Sequence, residues 1–424
     1  MSSNVAVVVD AYSTGAELAP KFLREGVKTL HVQSCRQIPA SFAGSFRPAD
    51  FIANIVFESL EQCLAAVHAL LDGAVPLYVL AGTETGVELA DRLAQAWQLP
   101  GNPPGTSRAR RDKYAMAQAL QAAGLATPAF IRASSAGQIK AWAAQQGTWP
   151  IVLKPLASAG NDNVFFCTSP QEIDKAFDAM FGAVNRMGER NDQVLAQTFL
   201  HGEQYVVNSV SIDGRHLFCD IWIDRRKALE GASNIYDNEE LLPAEGPVQA
   251  ILLAYMAKVL DALQLHNGPA HSEVMLTPDG PVLIEMGARL QGSMMEAPVL
   301  ASLGASQITL TVERCCHPEQ FTGRLDRLYA LTRHVMCVVL ISDQEGTIAD
   351  TSGFDQVLAL ASYACHCRLP AVGDALLRTT DLFTTPGLVY LSHVDPQVVH
   401  RDYATIRALE SGHRLFTVGE PSFA

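Results

Sequence analysis

The sequence of 424 residues predicts an α/β protein that begins with a doubly wound parallel sheet and continues with antiparallel strand pairs. Its first hundred residues alternate between short apolar runs and helical stretches, at 5–9, 16–25, 27–32, 58–72, 77–81 and 86–97. This alternation favours parallel pairing, because each connecting helix returns the chain to the same end of the sheet. Later, the turn residues Thr277-Pro278-Asp279-Gly280 lie between two apolar runs, which is typical of a β-hairpin.

Turn-forming residues divide the chain into three predicted domains. The segment 99–105 is rich in proline and glycine and predicts a boundary between a domain at 1–105 and one at 106–325. The second domain begins with a helix at 112–123 and includes a small subdomain at about 148–202. Its other predicted elements are strands at 149–154, 163–167, 194–199, 204–212 and 216–223, a helix at 247–264 and a hairpin at 271–285. The third region, 326–424, is predicted to hold strands at 334–341 and 387–393 and a helix at 396–411.

The composition narrows the classes of function. Acidic residues outnumber basic ones by 44 to 31, and the net charge of −13 argues against a nucleic-acid surface, which needs clustered lysine and arginine. The nine cysteines include no C-x-x-C pair and favour reduced thiols over a zinc site. The first residues show no basic and apolar leader, and no apolar run reaches about 18 residues. We therefore expect a cytoplasmic protein with no membrane partner.

A lysine at the end of a strand precedes a loop of small and turn-forming residues. The strand 149–154 ends at Lys154, and the loop 158–164 leads to the next strand. Backbone N–H groups of such a loop can surround an anion, and a nearby lysine adds a mobile positive charge. The pattern predicts a phosphate-binding loop, although a surface hairpin with an exposed lysine fits it as well.

Two glutamates are predicted to face each other across the later hairpin. If Leu276 pairs with Val282, Glu273 lies opposite Glu285, a register that needs a loop with an odd number of residues. Facing carboxylates repel unless a cation lies between them, and Mg²⁺ prefers oxygen ligands of this kind. The alternative is a pair of solvated glutamates, but their neighbours along the hairpin are apolar. Beyond the hairpin, Arg289 could hold a phosphoryl group or form a structural salt bridge.

Together these motifs resemble the ATP-grasp superfamily, and within it the L-amino acid ligases that make dipeptides. The resemblance covers nearly the whole chain and rests on the order of several segments rather than on any single one. They are Arg111-Asp112-Lys113, Ile151-Val152-Leu153-Lys154-Pro155, the loop 158–164, the segment 197–205, His271-Ser272-Glu273, Leu283-Ile284-Glu285 and Arg289. The resemblance implies a Rossmann-like N-terminal domain, an ATP-grasp domain with a lid subdomain and a small C-terminal region that completes the ligase.

The resemblance also implies a role for each residue of the site. Lys113 and Lys154 are expected to bind the ATP phosphates, with Lys154 also near the adenine. Arg289 steadies an acyl phosphate, and His271 touches the substrate, although a core histidine fits that position as well. The loop residues expected to cover the phosphates are Ser158, Gly160, Asn161, Asn163 and Val164. The residues expected around the adenosine are Gln197, Phe199, Leu200 and Gln204, and the expected Mg²⁺ ligands, with Mn²⁺ as an alternative, are Glu273 and Glu285.

The sequence departs from the family pattern at three positions. Gln197 replaces the usual adenine-binding glutamate, and Gln204 stands where the ribose-binding acid is usual, so Glu203 is an alternative. Gly287 replaces an asparagine that is usually a third metal ligand. One cation of the segment 225–227 is expected to reach a phosphate, but the sequence does not select which.

The resemblance implies an ATP-dependent ligase that joins small-molecule amino acids through an acyl phosphate and releases ADP and phosphate. Two alternatives stay open. One is an ATP-grasp enzyme with a different acceptor, carboxylase-like or nucleotide-biosynthetic, and the other is a nucleotide-binding module without catalysis. A homodimer is left open, and neither a nucleic acid nor a membrane is expected as a partner.

Overall fold

The computed structural model describes residues 4–158, 160, 162–229 and 232–419. Its first sheet is parallel, with the strand order β3-β2-β1-β4, and four helices connect or flank its strands. The strands are β1 (Val5–Val9), β2 (Lys28–Gln33), β3 (Asn54–Val56) and β4 (Tyr78–Ala81). The helices are α1 (Leu18–Arg24), α2 (Ala40–Ala43), α3 (Leu60–Leu70) and α4 (Val87–Ala96). The predicted parallel sheet is thus confirmed, and every residue of β1 is buried, as in a sheet covered on both faces.

The carboxyl ends of β1 and β4 approach each other closely. A side chain on Gly15 would collide with the carbonyl of Gly82, and a Cβ on Gly82 would lie only 2.5 Å from the carbonyl oxygen of Asp10. Glycine is therefore required at both positions. The close approach brings the loops after the two strands together at one edge of the sheet, where ligands bind in open α/β sheets.

A second, antiparallel sheet of four strands carries the lysine predicted to bind phosphate. Its strand order is β5-β8-β6-β7, and Lys154 lies near the end of β6. The elements of this part are α5 (Lys113–Ala122), β5 (Phe130–Ala133), α6 (Ala136–Gln146), β6 (Ile151–Pro155), β7 (Phe165–Cys167), α7 (Pro170–Met180) and β8 (Val194–Thr198). Ile139 of α6 and Ile173 of α7 are fully buried in one apolar cluster with Ile151, so the two helices cover one face of the sheet.

The third sheet has eight antiparallel strands in the order β13-β12-β9-β10-β11-β14-β18-β16. Its first part comprises β9 (Glu203–Ile212), β10 (Arg215–Leu229), β11 (Ala232–Leu241), α8 (Pro247–Ala262), β12 (Gly268–Thr277) and β13 (Gly280–Gly287). Next come α9 (Glu296–Leu303), α10 (Gln307–Cys316), α11 (Pro318–Thr322), β14 (His334–Val339), β15 (Gly346–Asp350), α12 (Asp355–Leu358) and β16 (Tyr363–Cys367). The chain ends with β17 (Ala375–Leu376), β18 (Leu388–His393), α13 (Pro396–Ser411) and β19 (Thr417–Gly419).

The main strands of the C-terminal region do not form a sheet of their own. β14, β18 and β16 extend the same sheet that holds the hairpin β12–β13, while β15, β17 and β19 form a small sheet of their own. One apolar core also runs from Val7 of β1 through Leu93 of α4 to Leu260 of α8. The predicted domain boundaries therefore stay predictions. Within the described residues, no helix is long and apolar enough to cross a bilayer.

Candidate functional site

Two cavities meet at the pair of glutamates on the hairpin β12–β13. The first, of about 560 Å³, lies between the four-stranded sheet and the eight-stranded sheet, and the second measures about 140 Å³. Glu273 and Glu285 line both cavities, together with Gly160 and Tyr236. The predicted residues that line the first cavity are Lys113, Lys154, Ser158, Gly160, Val164, Gln197, Phe199, Leu200 and Gln204. Arg289 and His271 line the second.

The register that brings the two glutamates together differs from the predicted one. Leu276 pairs with Pro281, not with Val282, and the turn between the strands has only two residues. Glu273 nevertheless pairs with Glu285, because the register shifts between Glu273 and Val274. A β-bulge places one extra residue on β13, so it supplies the odd count that the sequence analysis assigned to the loop.

Buried partners keep Glu273 ionised. Its Oε2 accepts a hydrogen bond of 3.0 Å from Nε2 of Gln204, and its Oε1 lies 3.8 Å from Nε2 of His271. Burial alone would raise the pKa of Glu273, but the His271 imidazole and the charges of Arg226 and Lys113 outweigh it and lower the pKa to about 2. A carboxylate that stays charged in a buried position suits the binding of a cation.

Lys113 connects Glu285 with the loop 158–164, which is predicted to bind phosphate. Asp112 caps α5 by accepting hydrogen bonds from the backbone N–H groups of Tyr114 and Ala115, and this cap places Lys113 at the start of the helix. The Lys113 ammonium lies 2.9 Å from Oε2 of Glu285 and donates a hydrogen bond of 2.7 Å to the carbonyl of Ser158. Lys113 therefore bridges the hairpin and the loop across the first cavity.

Lys154 is buried in the wall of the first cavity. Burial and the neighbouring charge of Lys113 lower its pKa to about 8, while Glu285 and Glu273 act in the opposite direction. Within the described part of the chain, its ammonium has no ion pair with a carboxylate. A desolvated cation without a counterion favours the arrival of an anion such as a phosphate.

The loop 158–164 is held by Asp162, a residue that the sequence analysis did not single out. Its buried carboxylate accepts hydrogen bonds from the Ser158 hydroxyl at 2.7 Å and from the backbone N–H of Arg186 at 2.9 Å. Asn163 donates to the same carboxylate and does not line either cavity, while Asn161 lies outside the described residues. Of the predicted loop residues, Ser158, Gly160 and Val164 reach the first cavity.

The far end of the first cavity is aromatic and apolar. Phe199 contacts Phe166 edge-to-face, with ring centroids 5.8 Å apart, and both line the cavity with Leu200 and Val152. The buried Gln197 of β8 lies in the same wall. Flat apolar walls with one amide suit a planar heterocycle that carries hydrogen-bonding groups.

Gln204 and Glu203, the two candidates for the ribose contact, differ in the hydrogen bonds that their side chains make. Gln204 donates hydrogen bonds of 3.0 Å to both Asp224 and Glu273, so its amide hydrogens are used beneath the glutamate pair. Glu203 lies at the exposed start of β9, lines the first cavity and accepts a hydrogen bond of 3.0 Å from the Tyr205 hydroxyl. The carboxylate of Glu203 is thus the more accessible of the two.

The three cations of the segment 225–227 occupy different environments. Arg226 lies over the ring of Tyr236, 3.3 Å from its centroid, and pairs with Asp224 at 2.6 Å. Arg225 pairs with Glu240 at 2.8 Å and lines the first cavity beside Arg226, whereas Lys227 does not line it. Nη1 of Arg226 is buried without a hydrogen-bond partner among the described residues. Arg226 is the cation of this segment that is best placed to meet a ligand.

A residue from the first sheet holds the arginine of the second cavity. Nε of Arg289 donates a hydrogen bond of 2.9 Å to Oε2 of Glu84, which follows β4, and Nη1 donates to the Leu290 carbonyl at 2.9 Å. Burial would raise the pKa of Glu84, but Arg289, Arg111 and Lys113 outweigh it and hold the pKa below its usual value. A Cβ on Gly287 would lie 2.7 Å from this Glu84 oxygen, so Glu84 occupies the space that a side chain at 287 would need.

A buried polar network fixes the orientation of His271. The Asn208 amide donates to Asp220 and to Gln291, both at 2.6 Å, so its oxygen is the acceptor that faces Nδ1 of His271 at 3.0 Å. This assigns a proton to Nδ1, which donates to the Asn208 oxygen, and Nε2 faces Glu273. Gln291 in turn donates to Glu239 at 3.0 Å, and burial raises the pKa of Glu239 to about 8.

Several residues that line the cavities were not predicted from the sequence. Glu84 could have been found, because it follows a parallel strand at the carboxyl edge, where functional side chains collect. Tyr236 and Glu239 lie on β11, whose polar sequence gave no strand signal.

All nine cysteines are free thiols. Within the described residues, no cluster of three or more His, Cys, Asp or Glu has the arrangement of a metal site.

Comparisons with known proteins identify the family of this chain. A family model for the ATP-grasp domain matches residues 148–297. Dapdiamide A synthase of Enterobacter agglomerans is 32% identical over 426 residues, which cover 97% of this chain and 96% of that protein. The L-arginine-specific L-amino acid ligase of Bacillus subtilis is 24% identical over 242 residues, 56% of this chain and 58% of that protein.

A solved structure supports the same fold over the whole length. The crystal structure of L-amino acid ligase from Bacillus licheniformis matches with a TM-score of 0.73 and 18% identity, covering 96% of this chain and 98% of that one. The comparisons confirm the predicted fold and the predicted reaction class, ATP-dependent amide-bond formation between amino acids. This chain therefore belongs to the ATP-grasp ligases and uses ATP to form an amide bond.

Proposed function

We propose that this ligase binds Mg-ATP in the first cavity and activates the carboxylate of an amino acid as an acyl phosphate in the second. The amine of another amino acid then attacks to form the peptide bond. The observation that carries this proposal is the junction at Glu273 and Glu285, where a cavity large enough for a nucleotide meets a smaller one that contains Arg289 and His271. A phosphoryl group at this junction can reach a ligand on either side.

The walls of the first cavity support an orientation for ATP. The adenine lies at the aromatic end, beside Gln197 and the backbone of Phe199 and Leu200. The phosphates then extend toward the pair Lys113 and Lys154, under the loop 158–164. Glu203 is the better candidate for the ribose, because the Gln204 amide already bonds two carboxylates.

The residues at the junction fit Mg²⁺. Glu273 and Glu285 offer hard oxygen ligands, and Oδ1 of the nearby Asp224 is buried without a hydrogen-bond partner among the described residues. Mg²⁺ typically takes one or two carboxylates together with substrate phosphates, so two protein ligands suffice. When bound, the ion would neutralise phosphate charge and align the γ-phosphoryl group for transfer.

The residues of the second cavity support the two chemical steps. A carboxylate oxygen attacks the γ-phosphorus and ADP leaves, and then an amine attacks the carbonyl carbon, loses a proton and displaces phosphate. Arg289 stabilises the negative charge that develops on the acyl phosphate, because Glu84 fixes its guanidinium beside the junction. The amine must be neutral when it attacks, and water must be excluded, since hydrolysis of the acyl phosphate would waste ATP.

We also propose that the reaction takes place in the cytoplasm, because it needs ATP and free amino acids, and the nine free thiols are consistent with this location. The test is a matrix of L-amino acid pairs in which ADP release and dipeptide formation are both measured. We expect ADP release that requires ATP, Mg²⁺ and a particular pair, with one dipeptide formed per ADP. Turnover with bicarbonate as the required co-substrate would favour a carboxylase-like enzyme, and nucleotide binding without turnover in any pair would favour a binding module.

A further inference from the structure

One arginine of the second cavity has no carboxylate partner among the residues that the structure describes. Six lysine and arginine side chains line the two cavities within the described part of the chain: Lys113, Lys154, Arg225, Arg226, Arg289 and Arg368. Four of them pair with a carboxylate, namely Lys113, Arg225, Arg226 and Arg289. Lys154 lies in the first cavity, which leaves Arg368, whose side chain hydrogen-bonds the Cys367 thiol, as the cation of the second cavity that has no ion pair among the described residues.

The position of Arg368 is fixed by its backbone. It directly follows the last residue of β16, Cys367, and adopts a φ of 59°, a left-handed conformation that is uncommon for residues other than glycine. A Cβ on Gly387, which directly precedes the neighbouring strand β18, would lie 2.8 Å from the Cys367 carbonyl, so the two backbone segments pack closely beside Arg368. The tight strand end directs an otherwise exposed arginine to the rim of the second cavity.

Arg368 lines the second cavity together with Cys337 and Glu239. Burial and Glu239 raise the pKa of the Cys337 thiol, while Arg368 acts in the opposite direction. Cys337 pairs with Glu239 across β14 and β11, and both line the second cavity. The second cavity therefore has two positive charges. Arg368 lies at its exposed rim, and Arg289 lies beside the glutamate pair.

The two substrates make different electrostatic demands on this cavity. The carboxylate that becomes phosphorylated must lie at the junction, close to Arg289. The other amino acid keeps its carboxylate throughout the reaction, and a carboxylate buried without a counterion is strongly disfavoured. We propose that Arg368 binds the carboxylate of the amino acid that supplies the attacking amine. This inference rests on the proposed function and selects α-amino acids with a free carboxylate as the acceptor class.

The test compares acceptors with and without a carboxylate. The donor that reacts fastest in the matrix of amino-acid pairs is tested with two pairs of acceptors. The first pair is L-alanine and L-alaninamide, and the second is the best amino-acid acceptor and its amide. For Arg368→Gln, we expect the KM of the amino-acid acceptor to rise about 10-fold or more, which is the effect of losing a charged hydrogen bond. The KM values of the amide acceptor and of ATP should not change. Arg368→Lys, which keeps the charge but not the paired donors, should give an intermediate KM.

Controls separate this inference from the proposed function. Arg36→Gln removes an exposed arginine that lines neither cavity, so all kinetic constants should stay at wild-type values. Should Arg368→Gln not fold, Arg368→Lys must still raise the KM of the acid acceptor alone. Equal use of acid and amide by the wild type, or an equal rise for both in the variant, would overturn the assignment. A fall in kcat without any change in KM would place Arg368 at the acyl phosphate and also overturn it. No dipeptide from any pair with the wild type would reject the proposed function, and this inference with it.

Discussion

The two glutamates at the junction have unlike surroundings. Glu273 is held by Gln204 and His271, whereas Glu285 has Lys113 as its ion-pair partner and its side chain is 22% exposed. The same lysine bonds to the loop through the Ser158 carbonyl. A cation bound at Glu285 would compete with Lys113 for this carboxylate, and Lys113 would then be available to a phosphate.

Glu285→Gln tests the role of this carboxylate with little change in size. We expect dipeptide formation at saturating Mg²⁺ to fall about 100-fold or more, because removing one preorganised electrostatic contact costs about 3 kcal/mol of transition-state stabilisation. The melting temperature should change little, since the side chain is partly exposed. Glu61→Gln, on the exposed face of α3, is the matched control. A near wild-type rate for Glu285→Gln would remove Glu285 from the site.

The depressed pKa of Lys154 predicts a pH dependence of nucleotide binding. In the free protein Lys154 loses its proton as the pH rises through about 8, and phosphates would raise its pKa in the complex. Affinity for ATP is therefore full below pH 8 and falls by up to about tenfold per pH unit above it, until the pKa of the complex is reached. Calorimetry with a non-hydrolysable ATP analogue from pH 6.5 to about 9.5 measures this slope.

Lys154→Arg provides the control for the pH prediction. Arginine stays protonated over the whole range, so the variant should bind the analogue with a flatter pH profile. Lys154→Ala should bind it weakly at every pH, with a smaller effect on amino-acid binding. The same slope in the wild type and in Lys154→Arg would show that another group titrates, and Lys154 would then have no special role.

At the level of elements, the strands that line the site were the hardest to predict. β11 has no regular alternation of apolar residues, because Tyr236, Glu239 and the paired Asp237 face cavities and charges and not a core. By contrast, β1 and α13 were predicted at nearly their observed bounds, because both bury apolar residues at a regular spacing. In the hairpin β12–β13, the facing pair of glutamates was predicted. Their register, however, comes from a β-bulge at Ile284 and not from the length of the turn.

The loop 158–164 contacts an element that is distant in sequence. The Arg186 guanidinium lies 4.4 Å from the centroid of Phe383 and 3.4 Å from the Asp381 carboxylate, and its backbone N–H donates to Asp162. Gly160 lies against the same ring, since a Cβ there would be 2.9 Å from it. Through Gly160 and Asp162, the loop therefore contacts Arg186 and the segment 381–383. This contact explains how the C-terminal region could help to exclude water.

Arg186→Ala tests the loop as a lid. Without the guanidinium, Asp162 and Phe383 lose their common partner, so the loop should open more often and admit water to the acyl phosphate. We expect the ratio of ADP released to dipeptide formed to rise severalfold. Hydrogen exchange across 156–166 should be slowed by Mg-nucleotide in the wild type and much less in the variant.

The nearby Arg190→Ala is the matched control, because Arg190 is 69% exposed and pairs with Asp192 on the surface. It should leave both the ratio and the exchange rates unchanged. A proportional fall of ADP release and dipeptide formation in Arg186→Ala would mean that the loop positions ATP without shielding the intermediate. Equally strong protection with and without nucleotide in the wild type would describe a rigid hairpin.

On the scale of the whole molecule, the site depends on contacts between segments that are far apart in the chain. Glu84 and Arg289 are separated by 205 residues, and Arg186 and Asp381 by 195. The order of the motifs predicted the family and the fold, because each motif is local. The pairs that complete the site could not be predicted from one sequence, since neither partner carries a local signal for the other.

A buried arginine joins the first sheet to the rest of the protein. Arg110 is fully buried and donates to Asp91 of α4 at 2.8 Å, to the Pro103 carbonyl at 2.8 Å and to the Leu263 carbonyl, just after α8, at 2.8 Å. It lies only five residues beyond the predicted boundary at 105/106. Burial raises the pKa of Asp91 and the Arg110 charge acts against this, so the pair must stay intact for Asp91 to remain charged at low cost.

Arg110→Ala should therefore destabilise the protein as a unit. Breaking a buried ion pair costs about 3–5 kcal/mol, because it leaves an uncompensated charge and several carbonyls without a donor. We expect urea unfolding to begin at lower concentration and to separate into two transitions, with the first sheet unfolding apart from the rest. Arg108→Ala is the matched control, since the Arg108 side chain is 64% exposed and pairs with the buried Asp112 from the solvent side, so that solvent screens a contact worth about 0–1 kcal/mol. Equal destabilisation by both variants, or a single unshifted transition for Arg110→Ala, would show that the apolar core alone couples the first sheet to the ATP-grasp region.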